Sequence, residues 1–248
     1  MTMFFPGFLE ETKGISEPAQ TLFDHGRITD VVNPVDPSKT DEPPVRGGFY
    51  RNGLKRMLDV TAIIMAAPVV VPVVAVLAGM VAWRGGSPFY TQMRVGRGGK
   101  PFRMWKLRSM VCDADALMEE HLAANPQARE EWDSTQKLRN DPRITPFGQF
   151  LRRSSLDELP QLWNVFRGDM SLVGPRPMMI SQQSIYPGKA YYALRPGITG
   201  YWQTAGRNRT TFEARAEYDS AYERDLSFAV DMKLLAMTVG VVLDCTGI

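Results

Sequence analysis

The longest apolar run in the chain covers residues 60–83, and a long region of mixed polarity follows it. At a rise of 1.5 Å per residue, roughly 24 helical residues extend about 36 Å, which is enough to cross a bilayer. Length alone therefore predicts a membrane-spanning helix. Two further features of the run favour a different path.

Two prolines lie inside the run, Pro68 and Pro72. In a helix this spacing places both on one face, so their kinks add in one direction. About a dozen aliphatic side chains contribute roughly −5 kcal/mol to insertion, and two interior prolines at roughly 3 kcal/mol each offset that gain for a straight helix. A bend is therefore favoured over a straight helix.

Basic residues flank the run on both sides. They are Arg51, Lys55 and Arg56 before it and Arg84, Arg94 and Arg97 after it. Because basic flanks stay on the cytoplasmic side, both ends are predicted there. The roughly 12 residues from Val60 to Val71 extend about 18 Å, which reaches the middle of the bilayer. We predict a re-entrant helix that enters one leaflet, turns at Pro72 and returns.

A β-hairpin is predicted over residues 87–110, where two strand-like segments surround a glycine-rich turn at 96–99. Its basic and aromatic residues, Arg94 and Lys106 among them, suit a surface that lies against anionic headgroups. An ordinary basic strand pair is the alternative interpretation.

Residues 112–137 and 213–225 follow polar helical patterns. The apolar segment 232–243 is too short to span a membrane and predicts a helix that is buried or lies along the surface. Together these elements predict an α+β fold that is mainly helical, with a small β-hairpin, anchored by the kinked N-terminal membrane helix.

The first fifty residues differ from the rest of the chain. Prolines recur, acidic residues outnumber basic ones and no apolar periodicity persists, so a disordered or loosely docked tail is predicted. The chain then divides into an acidic, Pro-rich tail over residues 1–50, a membrane helix hairpin over 51–86 and a cytoplasmic domain over 87–248.

The composition makes carboxylates the main candidates for catalytic groups, because cysteines and histidines are few. A net charge of +2 indicates no nucleic-acid partner. Two cysteines, Cys112 and Cys245, make neither a disulfide framework nor a zinc site. With only His25 and His121 present, we expect no histidine-based triad and no multi-histidine metal site.

Candidate catalytic residues concentrate in the segment 154–177. Asp157 and Glu158 are adjacent, a pair of arginines that includes Arg152 precedes them, and Arg176 follows between two prolines. Those prolines fix the backbone that presents Arg176, whose guanidinium can grip a phosphate through two hydrogen bonds. The arrangement predicts a site that handles a negatively charged substrate through a metal or an arginine.

The same segment also fits a purely structural interpretation. Ser155 and Glu158 have the spacing of a capping box. Apolar residues then recur at helical spacing: Leu159, Leu162, Trp163 and Phe166. This pattern predicts a well-capped core helix, in which Pro160 would introduce a kink directly after the acids.

Four segments, from about Gly53 to the C-terminus, resemble motifs of the bacterial sugar transferases, the monotopic polyprenyl-phosphate phosphoglycosyl transferases. In chain order they are KRMLDV, RVGRGGKPFRMWKLRSM, DPRITPFGQFLRRSSLDELPQLWNVFRGDMSLVGPRP and RPGITGYWQTAGRN. Members of that family have a re-entrant helix that usually breaks at a Ser-Pro pair. Here Val71-Pro72 occupies that place and Pro68 is extra, so no serine hydroxyl satisfies the carbonyls that the kink frees.

The resemblance implies an enzyme that transfers a sugar-1-phosphate from a UDP-sugar to undecaprenyl phosphate and releases UMP. It implies that Asp157 is the nucleophile and forms a covalent phosphosugar intermediate, and that Glu158 holds Mg²⁺. Arg176 is expected to grip a phosphate, with Arg152 as a second candidate.

In the loop-like segment 193–208, Gln203, Arg207 and Asn208 are candidates for contact with the nucleotide or sugar, although all three could be turn residues. The resemblance places the protein in the bacterial inner membrane, among membrane lipids, with its catalytic domain on the cytoplasmic face. A hexose such as galactose or glucose is the favoured sugar. The oligomeric state is open, with a homodimer as one option.

Two other functions stay open. One is a non-catalytic membrane scaffold of polysaccharide assembly. The other is a glycosyltransferase that moves the sugar without its phosphate and releases UDP. The intact acidic pair and the Pro-Arg-Pro sequence favour the phosphoglycosyl transferase.

Overall fold

A computed structural model describes residues 48–135, 138–206 and 212–243 of the chain. The tail predicted over residues 1–50 lies almost entirely outside them. Within the described residues the chain forms eight α-helices and two small β-sheets. The helices are α1 (Lys55–Trp83), α2 (Ala114–Ala124), α3 (Pro126–Thr135), α4 (Pro146–Arg153), α5 (Gln161–Arg167), α6 (Ala190–Ala193), α7 (Arg215–Asp225) and α8 (Phe228–Leu243).

The strands pair in two separate ways. They are β1 (Phe89–Val95), β2 (Pro101–Leu107), β3 (Ser171–Val173) and β4 (Gly197–Thr199). β1 and β2 form an antiparallel hairpin, and β3 and β4 form a short parallel pair. The predicted α+β class, mainly helical with a small β-hairpin, is confirmed.

The hairpin has the predicted position and turn. Gly98 in the turn has a φ of 70°, a conformation that glycine adopts at little cost. Arg94 in β1 lies directly opposite Phe102 in β2, and directly opposed residues project from the same face. Phe102 and Met104 are buried, so they mark the inner face. Lys106 follows Met104 by two residues and therefore lies on that face as well.

The apolar run forms a helix long enough to cross a membrane. α1 continues through Pro68 and Pro72, and with a π-helical turn before it the segment Tyr50–Trp83 has 34 residues. Large apolar side chains in its middle are more than half exposed: Ile64, Met65, Val69, Val71 and Val76. The return of the helix at Pro72 stays a prediction.

Both ends of α1 pack against the same folded domain. Near its N-terminus, Lys55 forms an ion pair with Asp231 of α8 at 2.5 Å, and Asp59 accepts a hydrogen bond from Ser171 Oγ of β3 at 2.7 Å. Near its C-terminus, a buried apolar cluster joins the helix to β2 and α4: Leu77, Ala78, Val81, Leu107 and Leu151. The helix is therefore held at both ends and exposes apolar side chains between them.

The core that positions β3 and β4 lies against the C-terminal helices α7 and α8. Its buried members are Val173, Leu194, Tyr201, Ala221, Tyr222 and Leu234. Tyr222 donates a hydrogen bond to Asp231 Oδ1 at 2.7 Å, so the carboxylate that pairs with Lys55 is fixed from inside the core. The helices predicted over 213–225 and 232–243 are both present, the second as part of the longer α8.

Candidate active site

The two adjacent acids lie in a short 3-10 turn, Leu156–Glu158, just before α5. The predicted capping box is wrong, because Ser155 has a φ of 55° and its side chain caps no helix. Pro160 immediately precedes α5, which begins at Gln161. A proline has no N–H to donate and is tolerated at a helix start, so the helix forms after it rather than through it.

The aromatic members of the apolar stripe predicted for this helix do not face a core, whereas Leu159 packs against the buried cluster that includes Leu107 and Leu151. Trp163 and Phe166 are 54% and 43% exposed, and their rings stack with centroids 5.6 Å apart. The buried positions of α5 are Gln161, Asn164 and Val165. The interpretation as an ordinary core helix is therefore wrong for Trp163 and Phe166, since α5 directs these aromatic side chains outward.

The fully buried Asn164 joins α5 to β2. Its Oδ1 accepts a hydrogen bond from the backbone N–H of Trp105 at 3.0 Å, and its Nδ2 donates to the carbonyl of Arg103 at 2.7 Å. These bonds hold the acidic turn, which immediately precedes α5, against the strand. Lys106 is the residue that follows Trp105 in that strand, so the same contacts bring it to the acids.

Lys106 contacts both acids. Its Nζ lies 2.8 Å from Glu158 Oε1 and 3.6 Å from Asp157 Oδ2. This ion-paired position differs from the headgroup contact expected for Lys106. A shared cation allows two neighbouring carboxylates to be ionised together, since it offsets the repulsion between them.

The two acids have opposite pKa shifts. Burial raises the pKa of Asp157, and the charge of Glu158 raises it further, while Lys106 and Arg152 act in the other direction. Burial would also raise the pKa of Glu158, but Lys106 and Arg176 outweigh it, so that this pKa is lowered. Acids whose environments separate their pKa values are suited to different roles.

Arg94 and Arg176 form a basic pair beside the acids, and Arg215 lies close to both of them. The guanidinium of Arg176 lies 5.4 Å from the ring centroid of Trp202, and that of Arg215 lies 5.7 Å from the same centroid. Burial, together with the charges of Arg176 and Arg215, lowers the pKa of Arg94 to about 10. Like charges held this close favour an anionic ligand.

A cleft of about 30 Å³ opens between the acidic turn and the guanidiniums of Arg94 and Arg176. The residues that bring charge or hydrogen-bonding groups to it include Arg94, Lys106, Glu158, Arg176 and Gln203. Gly174 permits the close approach of the two chain segments behind the cleft, because a Cβ there would lie 2.3 Å from the carbonyl oxygen of Arg195. Three predicted site residues, Glu158, Arg176 and Gln203, are thus brought together.

Arg152 lies near Asp157 but outside the lining of this cleft. Its Nε donates a hydrogen bond to Ser109 Oγ at 2.8 Å, and its charge lowers the pKa of Asp157. Its contact with a substrate phosphate stays a prediction. Arg207 and Asn208 lie outside the residues that the structure describes.

Sequence reasoning missed Lys106, Arg94 and Arg215 as site residues. A signal existed for the first two, because each occupies the inner face of its strand together with the buried Phe102 and Met104. A charged residue at an inward-facing position of a strand needs a partner. Arg215 had no such signal, since it lies in a helix rich in charged residues, which are most often exposed to solvent.

The arrangement unites an acidic pair, a lysine and two arginines that come from the second and third of the four sequence motifs. The family model described as bacterial sugar transferase matches residues 50–245. The chain belongs to the bacterial sugar transferase family. This match covers α1 and all of the structural elements that follow it.

Similar bacterial sugar transferases are named for lipid-linked sugar transfer. The UDP-galactose-lipid carrier transferase of Erwinia amylovora is 46% identical over 196 residues, 78% of this chain and 41% of that protein. The undecaprenyl-phosphate galactose phosphotransferase of Salmonella typhimurium is 44% identical over 192 residues, 77% of this chain and 40% of that protein. The chain therefore spans about two fifths of the length of these relatives.

A shorter relative aligns over most of its length. The exopolysaccharide production protein ExoY of Rhizobium meliloti is 41% identical over 188 residues, which are 75% of this chain and 83% of that protein. Three quarters of this chain therefore aligns with about four fifths of a protein that is named for exopolysaccharide production.

Proposed function

We propose that this chain transfers a hexose-1-phosphate, with galactose as the first candidate and glucose as the second, from a UDP-sugar to undecaprenyl phosphate and releases UMP. The observation that carries this proposal is the buried Asp157, 3.6 Å from Lys106, beside a cleft lined by Arg94 and Arg176. The names of the relatives from Erwinia and Salmonella support galactose.

In the first half-reaction a carboxylate oxygen of Asp157 attacks the phosphorus that carries the sugar. The bond from this phosphorus to the bridging oxygen breaks, and UMP leaves with that oxygen. The sugar phosphate is then held on Asp157 as an acyl phosphate. An acyl phosphate and a phosphoanhydride have similar energies, so this step is not steeply uphill, and a carboxylate is a suitable covalent carrier.

In the second half-reaction a phosphate oxygen of the lipid acceptor attacks the same phosphorus. The bond between Asp157 and phosphorus breaks, the carboxylate is restored, and a polyprenyl diphosphate sugar forms. Lys106 and Arg176 are positioned to stabilise the negative charge that develops on the phosphoryl oxygens during both steps. The lowered pKa of Glu158 keeps its side chain ionised throughout.

Magnesium fits this arrangement as a partner of the donor diphosphate. Proteins bind Mg²⁺ through one or two carboxylates together with substrate phosphates, and Asp157 and Glu158 supply such a pair. Within the described residues no group of three or more His, Cys, Asp or Glu side chains forms a metal site. Glu158 would hold the ion with Asp157 beside it, and the ion would offset charge on the diphosphate.

The lipid acceptor requires the active site to lie at a membrane surface. The exposed apolar middle of α1 and the packing of both its ends on one domain support the re-entrant path, since that domain would hold both ends on one side. The outward-facing Trp163 and Phe166 on α5 extend the apolar surface beside the acidic turn. We therefore place the domain on the cytoplasmic face of the inner membrane, against membrane lipids.

The nucleotide released by the protein in nanodiscs distinguishes the candidate functions. A panel of UDP-hexoses is incubated with undecaprenyl phosphate and the full chain. UMP is the expected product, and it is expected to appear first with UDP-galactose or UDP-glucose. UDP would indicate a glycosyltransferase, and no nucleotide with any donor would indicate a scaffold.

The variant Asp157→Asn supplies the matched test of the nucleophile, with Asp133→Asn on the exposed side of α3 as its control. Asp157→Asn is expected to abolish both UMP release and the covalent phosphosugar adduct, while the control keeps both. Normal turnover by Asp157→Asn would refute the assignment.

A further inference from the structure

A second cavity lies where α1 begins, and it shares no lining residue with the cleft at the acidic pair. Its volume is about 200 Å³, and one water molecule requires only about 10–15 Å³ of such space. Five basic side chains line it: Arg51, Lys55, Arg56, Arg97 and Arg195. The cavity is large enough for a phosphate together with a small polar group.

Two of these cations are already neutralised by carboxylates. Arg51 pairs with Glu223 at 2.6 Å, and Lys55 pairs with Asp231 at 2.5 Å. Asp59 is the acidic residue in the cavity lining. The lining therefore has one carboxylate for the three remaining guanidiniums, and positive charge exceeds negative charge in the cavity.

Two of the remaining three guanidiniums are held by neutral groups. Arg56 donates to the carbonyl of Phe166 at 2.8 Å, and Arg195 donates through Nε to the carbonyl of Gly168 at 2.9 Å. Among the described residues, Arg97 has no hydrogen-bond or ion-pair partner. Carbonyl oxygens orient a guanidinium but carry no net charge. The positive charge of these side chains is therefore not neutralised by their hydrogen-bond partners.

The electrostatics of Arg195 agree with this geometry. Burial lowers the pKa of Arg195, and the charges of Arg97 and Arg56 lower it further. A phosphate among these three groups would relieve their mutual repulsion, because charge-assisted hydrogen bonds to phosphate are short and strong.

The surroundings of the cavity indicate where the anion comes from. The cavity lies at the end of α1 where Phe49 is 86% and Met57 is 66% exposed. Arg56 binds the backbone of Phe166, whose aromatic side chain is also exposed. Basic side chains directly beside an exposed apolar surface are typical of contact with anionic headgroups at a membrane.

We propose that this cavity binds the phosphate of an anionic phospholipid headgroup, through Arg56, Arg97 and Arg195. The site is separate from the catalytic cleft, and it depends on the proposed placement of α1 in the membrane but not on the proposed reaction. A bound headgroup would fix the N-terminal end of α1 at the lipid surface. Free phosphate esters share the same chemistry, so the test must separate the two sources.

Native mass spectrometry of the full chain in detergent provides the test. The protein is titrated with phosphatidylglycerol, with phosphatidylcholine as the neutral lipid and with sn-glycerol 1-phosphate as the soluble phosphate. Wild type is expected to bind phosphatidylglycerol in preference to both other probes. Arg97→Gln is expected to weaken that binding about tenfold, and since Arg97 holds no other described group, the fold should persist.

Matched variants separate the site from general charge effects. Arg129→Gln removes the same charge from the exposed face of α3 and should leave phosphatidylglycerol binding unchanged. Asp157→Asn should also bind the lipid as wild type does, so loss of activity and loss of this site are distinguishable. Equal lipid binding by wild type and Arg97→Gln would overturn the site, and equal affinity for glycerol phosphate and the lipid would overturn the lipid assignment.

Discussion

Replacement of Lys106 by methionine should move the acid limb of the pH–rate profile to higher pH. In the proposed reaction Asp157 must be ionised to attack phosphorus, and burial already raises its pKa. The Lys106 ammonium acts against this shift, so its removal raises the pKa of Asp157 further. At any pH near the limb, a smaller fraction of Asp157 is then ionised and the rate falls.

The size of this shift follows from the geometry of the pair. Unit charges 3.6 Å apart interact by about 4–5 kcal/mol at an effective dielectric constant of about 20. The Lys106 side chain is 23% exposed, so water screens part of this interaction. We therefore expect the acid limb to move to higher pH by the part of this interaction that screening leaves, which is about 1.4–2.7 kcal/mol.

The assay is UMP release in a single turnover across a range of pH, with donor and no lipid. Lys106→Arg should keep most of the wild-type profile, because it keeps the charge. Lys100→Met, on the exposed turn of the same hairpin, should leave the profile unchanged. The rate at high pH, where Asp157 is fully ionised, measures any direct effect of Lys106 on the reaction. An unshifted acid limb in Lys106→Met would refute the electrostatic link between Lys106 and Asp157.

Three further outcomes are expected. Asn164→Ala should lower the free energy of unfolding by about 2–4 kcal/mol, because it leaves buried backbone groups of β2 unpaired. Urea unfolding measures this change, with the exposed Asn140→Ala as the control. An equal loss of unfolding free energy in both variants would contradict the prediction. Single cysteines at Gly48→Cys and Ser87→Cys, in a cysteine-free background, should react with an impermeant reagent from the cytoplasmic side only, and labelling from opposite sides would exclude the re-entrant path. EDTA should stop UMP release reversibly without lowering the unfolding temperature, and a lowered temperature would indicate a resident structural metal.

Local patterns predicted the elements whose formation depends on neighbouring residues. The hairpin depends on glycines at its turn and on strand-forming residues on either side, and both are visible in sequence. Asp157, Glu158 and Arg176 were predicted as site residues because they are close in the chain, in a segment that combines charged residues with prolines. The structure then placed Glu158 and Arg176 in one cleft.

The remaining features depend on contacts between distant parts of the chain. Lys106 meets Glu158 across 52 positions, and they are brought together by the bonds from Asn164 to β2 and by the packing of Leu107 with Leu156 and Leu159. The capping-box prediction failed because Pro160 starts α5 after the acids rather than within the helix. The aromatic residues of α5 were assigned to a core because periodicity alone does not distinguish apolar side chains that are buried from apolar side chains that are exposed.

The central claim is that Asp157 carries the sugar phosphate between donor and lipid. The most direct measurement is isotope exchange between labelled UMP and UDP-galactose, or UDP-glucose if that is the donor, in the absence of any lipid acceptor. Wild type is predicted to move label into the donor, and Asp157→Asn is predicted to move none. Absence of exchange in a wild-type preparation that turns over normally once undecaprenyl phosphate is added would contradict the covalent intermediate.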